Sequence, residues 1–105
     1  MTEKTTTATS LDEQTQISPL DEQLQEKRGQ LTQAQTTQTN AYSDYIKVMK
    51  AKTIVDEKDS EKVAKLDKLM FDHFISYQYA IEEAQKLRVE ISNLESKQYL
   101  DELLA

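Results

Sequence analysis

Residues 55–63 of this chain read VDEKDSEKV, so that seven consecutive polar residues separate two valines. On both sides of this stretch apolar residues recur every seven positions. The repeat runs as far as Val55 and starts again in a different phase at Val63. A change of phase across a wholly polar segment predicts a turn between two helices, here at about residues 57–60.

The residues on both sides of this segment favour uninterrupted α-helix. From Gln30 to Ala105 the chain contains neither glycine nor proline. A run without backbone breakers and with apolar side chains at helical spacing is typical of long helices. Two rows of period seven follow the polar segment and indicate a coiled-coil-like packing face. These rows are Val63, Met70, Tyr77, Ala84 and Ile91, and Leu66, His73, Ala80, Leu87 and Leu94.

The first helix has a clear predicted start and one ambiguous position. Ser18 is suited to the N-cap and Pro19 to the first helical position, with acidic residues in the turn that follows. Gly29 comes after Lys27 and Arg28 and is also compatible with a C-cap that ends a short helix. We predict that the helix continues through Gly29, because one glycine costs only about 1 kcal/mol relative to alanine.

These patterns predict an all-α fold, a long antiparallel hairpin with helix 1 at about 19–56 and helix 2 at about 61–104. Each helix would be about 60 Å long. Folding back at 57–59 would pair Val48 with the region of Met70, Tyr45 with Phe71, and Leu31 with Ala84 or Leu87. The alternative is a single long helix, because a shift of four residues is also the signature of a coiled-coil stutter.

Residues 1–17 differ in composition from the rest of the chain. This segment is rich in threonine and glutamine and contains no aromatic residue. Its few apolar side chains do not offset the entropy of ordering it. We therefore predict a disordered N-terminal tail.

The aromatic residues are expected near the middle of the hairpin. All seven lie after residue 41, and a gathered set would form either a packed core or an aromatic docking surface. We assign most of them to the core and leave Tyr42 and Tyr79 as interface anchors. The full predicted core is Tyr45, Val48, Met49, Leu66, Met70, Phe71, Phe74, Tyr77, Ile81, Leu87, Ile91 and Leu94.

The C-terminus stays apolar to its last residues, which is unusual for a chain end that frays in water. We therefore expect it to pack on a second copy or on another protein. With the two tyrosines above, the predicted interaction surface comprises Tyr42, Tyr79, Tyr99, Leu100, Leu103 and Leu104.

Composition argues against several classes of function. The net charge of −6 is unfavourable for binding a phosphate backbone, and no segment reaches the length and hydropathy of a membrane span. The chain has no cysteine, and its only histidine, His73, has no acidic or histidine partner three or four residues away. We therefore predict no enzyme activity, no cofactor, no metal site, no nucleic-acid partner and a cytoplasmic location.

Three functional hypotheses remain. The first is a non-enzymatic protein–protein interaction or assembly module, in a structural, adaptor or small chaperone role, which acts through an apolar helix face covered by a second copy or another protein. The second is a secreted or virion-associated helical hairpin protein, or its chaperone, because the N-terminal composition is similar to that of signals read by specialised export machines. The third is an acidic regulator that sequesters a partner protein.

Overall fold

The computed structural model of this chain describes residues 18–105. It contains two helices, α1 at Pro19–Lys52 and α2 at Ser60–Leu104, which pack against each other along their length. This antiparallel hairpin confirms the predicted fold class, and the alternative of one continuous helix is wrong. The predicted tail at residues 1–17 lies outside the described residues.

Helix α1 begins as its sequence predicts. The hydroxyl of Ser18 accepts a hydrogen bond from the backbone N–H of Asp21 at 3.1 Å, and Pro19 occupies the first helical position. The helix continues through Gly29, so the alternative of a C-cap there is wrong. A single exposed glycine lowers helix stability but does not end the helix when the residues beyond it pack on a partner.

Helix α1 ends at Lys52, four residues before the predicted boundary. The three residues that follow each donate a backbone hydrogen bond to the carbonyl three positions earlier, which tightens the last turn. The Thr53 hydroxyl also donates to the carbonyl of Lys50 at 2.6 Å. Local hydrogen bonding of this kind satisfies the last carbonyls and stops the helix.

Two aspartates complete the turn that glycine or proline would usually make. The Asp56 carboxylate accepts from the backbone N–H of Lys58 at 3.0 Å, which is an Asx turn. The Asp59 carboxylate then accepts from the N–H of Lys62 at 3.2 Å and caps α2. The polar segment therefore reverses the chain through its carboxylates.

The pairing of the helices is symmetric about the Asp59–Ser60 bond. Tyr45 faces Phe74, and Lys52 forms an ion pair with Asp67 at 2.6 Å. The predicted pairing of Tyr45 with Phe71 is therefore wrong by three residues, because the centre of the turn lies about one and a half residues later than predicted. Leu31 packs against a cluster that contains Ala84 and Leu87, as predicted.

Burial divides the hairpin into two parts. We call residues 18–41 and 80–105 the open-end half, and residues 42–79 the loop half. Among the described residues every buried side chain belongs to the open-end half, and four of the seven are alanines. Alanine lets two helices approach closely enough to exclude water without a third element. The buried residues are Leu24, Ala34, Ala41, Ala80, Ala84, Leu87 and Ile91.

The predicted core agrees with this burial only in part. Leu87 and Ile91 are buried, but Met49, Phe71 and Phe74 are exposed, so their assignment to the core is wrong. They lie beside the seam between the helices, and a two-helix seam covers only a narrow stripe. The other predicted core residues are partly buried, and they are Tyr45, Val48, Leu66, Met70, Tyr77, Ile81 and Leu94.

Candidate interaction face

A group of large apolar side chains from both helices lies together on one flank of the loop half. The tilted rings of Tyr42 and Tyr77 have centroids 5.6 Å apart, and those of Tyr45 and Phe74 are 6.4 Å apart. Both separations lie in the range of favourable aromatic contacts. We call this group the aromatic face, and it consists of Tyr42, Tyr45, Ile46, Met49, Phe71, Phe74 and Tyr77.

The heptad pattern explains why these side chains share a flank. Tyr42, Met49 and Phe74 each directly follow a residue of the inner seam rows. In an antiparallel pair of helices, such positions on the two helices lie on the same side of the seam. Phe71 precedes Phe74 by three residues, which places it on the same side of α2.

The side chains of the aromatic face are substantially exposed to water, because two helices alone do not cover them. Tyr42 is 55% exposed, Phe71 62%, Phe74 44% and Met49 39%. At about 200 Å² for each large side chain, these four leave roughly 400 Å² of mostly apolar surface in water. Patches of a few hundred Å² on a small protein commonly mark a binding site.

The centre of the face is a shallow groove of about 300 Å³, lined by Tyr42, Tyr45, Ile46, Met49, Phe74 and Tyr77. None of these side chains supplies a carboxylate, an imidazole or an amine. Phe71 stands beside the groove, one helical turn nearer the loop. The groove therefore has the chemistry to receive an apolar side chain.

The same flank changes character in the open-end half. There the positions after the seam rows include Arg28 and Glu95, whose side chains form an ion pair at 2.8 Å. On the other flank of that half, Lys27 Nζ lies 3.1 Å from Glu90 Oε1, in a geometry that is not a hydrogen bond. Gln98 donates a hydrogen bond to Asp21 nearer the end. Polar contacts therefore border the seam in the open-end half, where the seam residues are buried.

The two halves also differ in net charge. Residues 42–79 contain seven lysines and seven acidic residues and are neutral. In the open-end half, five basic residues stand against nine acidic ones, a net charge of −4. The aromatic face therefore lies on the half of the hairpin that carries no net charge.

The predicted interaction residues are all exposed, but the structure does not bring them together. Tyr42 belongs to the aromatic face. Tyr79 points to the opposite flank, where it lines a groove with Thr37 and Glu83. The remaining four lie near the C-terminus of α2, roughly 35 Å from the level of Tyr42 at 1.5 Å per residue. They are Tyr99, Leu100, Leu103 and Leu104.

Sequence reasoning missed Ile46 as a member of the face and placed Met49, Phe71 and Phe74 inside the core. The signal was present in the spacing, because Tyr42, Ile46 and Met49 follow one another at four and three residues. Such spacing defines one side of a helix. It does not reveal whether a third element covers that side.

Other kinds of site find little support among residues 18–105. No three histidine or acidic side chains in this range are grouped so that they would hold a metal ion. His73 lies half-buried in the seam. Neither α1 nor α2 contains a window that is apolar enough to cross a lipid bilayer.

No protein-family model matches the chain, and comparisons with curated proteins and with solved structures give no match either. What the chain does is therefore inferred from its own residues.

Proposed function

We propose that this chain is a non-enzymatic protein–protein interaction module that assembles through its aromatic face. The observation that carries the proposal is the grouping of several half-exposed aromatic side chains from both helices on one flank of the loop half. In a protein that works alone, such side chains would be exchanged for polar ones at little cost in stability. Their presence on a neutral surface supports a role in binding.

The size of the face suits a partner of protein dimensions. Covering about 400 Å² of apolar surface contributes roughly 10 kcal/mol at 25 cal/mol/Å², before the costs of association are subtracted. Those costs amount to about 4–15 kcal/mol. The aromatic face therefore supports specific binding only if the partner contributes apolar surface of its own.

The shape of the face suits helical partners. Its long axis follows two helices, and the groove between them resembles the grooves into which amphipathic helices lay their apolar side. Tyrosine and phenylalanine are frequent among the side chains that dominate binding energy at such contacts. Tyr42 and Phe71 are the members of the face with the largest exposed fraction and are its expected anchors.

Photocrosslinking in the source cells tests this proposal. A benzophenone amino acid replaces Phe71 in one variant and Val89 in a control, since the two side chains are exposed to nearly the same extent, 62% and 61%. We expect irradiation to yield a protein adduct at position 71 and none at position 89. Equal yields at the two positions, or no adduct at position 71, would remove the basis of the proposal.

A further inference from the structure

We infer that the occupant of the aromatic face is a second copy of this chain, packed antiparallel so that the two loop halves overlap and the two open ends point away from each other. This inference rests on the proposed function and specifies its partner. It follows from three properties of the loop half: the area of its face, the shape of that face, and the distribution of charge along the hairpin.

The area matches what a symmetric dimer requires. A protein interface of standard size buries about 800 Å² on each partner, of which roughly 57% is apolar, or about 450 Å². The four most exposed members of the aromatic face supply roughly 400 Å² of such surface. The half-buried remainder of the face and the polar side chains around it supply the rest. One face on each copy is therefore enough.

The shape of the face is self-complementary. Phe71 projects on one side of a groove that has room for an apolar side chain. We place a two-fold axis in the plane of the interface, perpendicular to the helices and between Phe71 and the groove. Rotation about this axis brings Phe71 of one copy opposite the groove of the other. Phe71 of each copy then enters the groove of the other, as an isologous interface requires. In the same arrangement the helices of the two loop halves form a four-helix bundle.

The distribution of charge favours the antiparallel orientation. A parallel pair would place two open-end halves of charge −4 side by side, whereas an antiparallel pair keeps them at opposite ends of the assembly.

Sedimentation over a concentration series tests the self-association. We expect the wild-type protein and Val89→Glu to form dimers at micromolar concentration, and Phe71→Glu to be monomeric with unchanged helical content. Phe71→Ala, which introduces no charge, should raise the dimer dissociation constant at least tenfold. A wild-type protein that stays monomeric and fully helical at 100 μM would overturn the inference, as would a Phe71→Glu dimer of wild-type strength.

A distance measurement tests the orientation. The chain has no cysteine, so a single spin label at Lys58→Cys reports on one site in each copy. In the antiparallel dimer the two loops lie about 20 Å to either side of the axis, which separates the labels by about 40 Å. Labels within about 20 Å of each other would show a parallel dimer and overturn the inference.

The crosslinking experiment separates this inference from the proposed function. An adduct at position 71 with the mass of two copies supports both. An adduct that contains a different protein overturns the second copy as the occupant and leaves the interaction module intact. The absence of any adduct overturns both.

Discussion

The two halves of the hairpin are built from the same two helices with the same heptad spacing, yet one closes and the other does not. Ala84 and Tyr77 show the difference, because they stand in the same seam row one heptad apart. Ala84 is completely buried, whereas Tyr77 is only half-buried and lines an open groove. At these two positions the two helices alone cover the small side chain completely but leave the large ring partly exposed.

The physical reason lies in the size of the side chains along the seam. A small seam residue such as Ala84 is fully covered where two helices pack against each other. The rings of Tyr45 and Tyr77 extend past the edge of the seam and stay partly exposed. In the loop half a further helical layer is needed to bury what two helices leave exposed.

Truncation of a buried leucine should show the largest difference between the halves. Leu87→Ala in the open-end half is expected to lower the free energy of unfolding by about 2–5 kcal/mol, because the side chain is almost fully buried. Leu69→Ala in the loop half should cost less than about 1 kcal/mol, because that side chain is half-exposed. Urea denaturation measures both values, and equal losses would show that burial does not distinguish the halves.

Enlargement of a seam residue should also destabilise the open-end half more than the loop half, but by a smaller amount. Ala84→Leu is expected to cost about 1–3 kcal/mol, because the added carbons have no space between closely packed helices. Val63→Leu stands in the same seam row of the loop half, where Val63 lines an open groove with Met49 and Met70. We expect no loss there, measured by the same denaturation. A loss of stability in Val63→Leu as large as that in Ala84→Leu would contradict the size argument.

The smallest effect concerns the backbone of the open-end half. A Cβ atom added at Gly29 meets no atom within 4 Å, and the residue lies inside α1. Gly29→Ala is therefore expected to raise the free energy of unfolding by roughly 0.5–1 kcal/mol. Gln30→Ala, at an exposed neighbouring position, should change it by less than about half as much. Thermal unfolding followed by circular dichroism compares the two, and a destabilised Gly29→Ala would reveal a contact that the helix does not show.

Much of the fold is predictable from the sequence because it depends on local signals. Ser18 and Pro19 specify the start of α1, and the carboxylate of Asp59 caps α2. The end of α1 was harder to predict, because the threonine hydroxyl that stops it competes with a helical pattern that continues to Val55. The error of three residues in the pairing of Tyr45 has a separate cause, because the centre of the turn lies about one and a half residues later than predicted.

The candidate site is predictable only in its composition. The spacing shows that aromatic residues gather near the middle of the hairpin, and the structure places Tyr42, Tyr45, Phe74 and Tyr77 in contact there. Periodicity identifies the side of a helix that is apolar, but it does not count the helices that cover it. Phe71 was assigned to the core for that reason, although it is 62% exposed.

The position of the turn has a consequence for the order in which the hairpin folds. Contacts near the turn join residues that are close in sequence, so they close with the least loss of chain entropy, but they bury little. The nearest buried residues on opposite helices, Ala41 and Ala80, are 39 positions apart. Each doubling of such a separation costs only about 0.6 kcal/mol more. We therefore expect the rate-limiting step of folding to be the meeting of these alanines, after which the helices zip toward the chain ends.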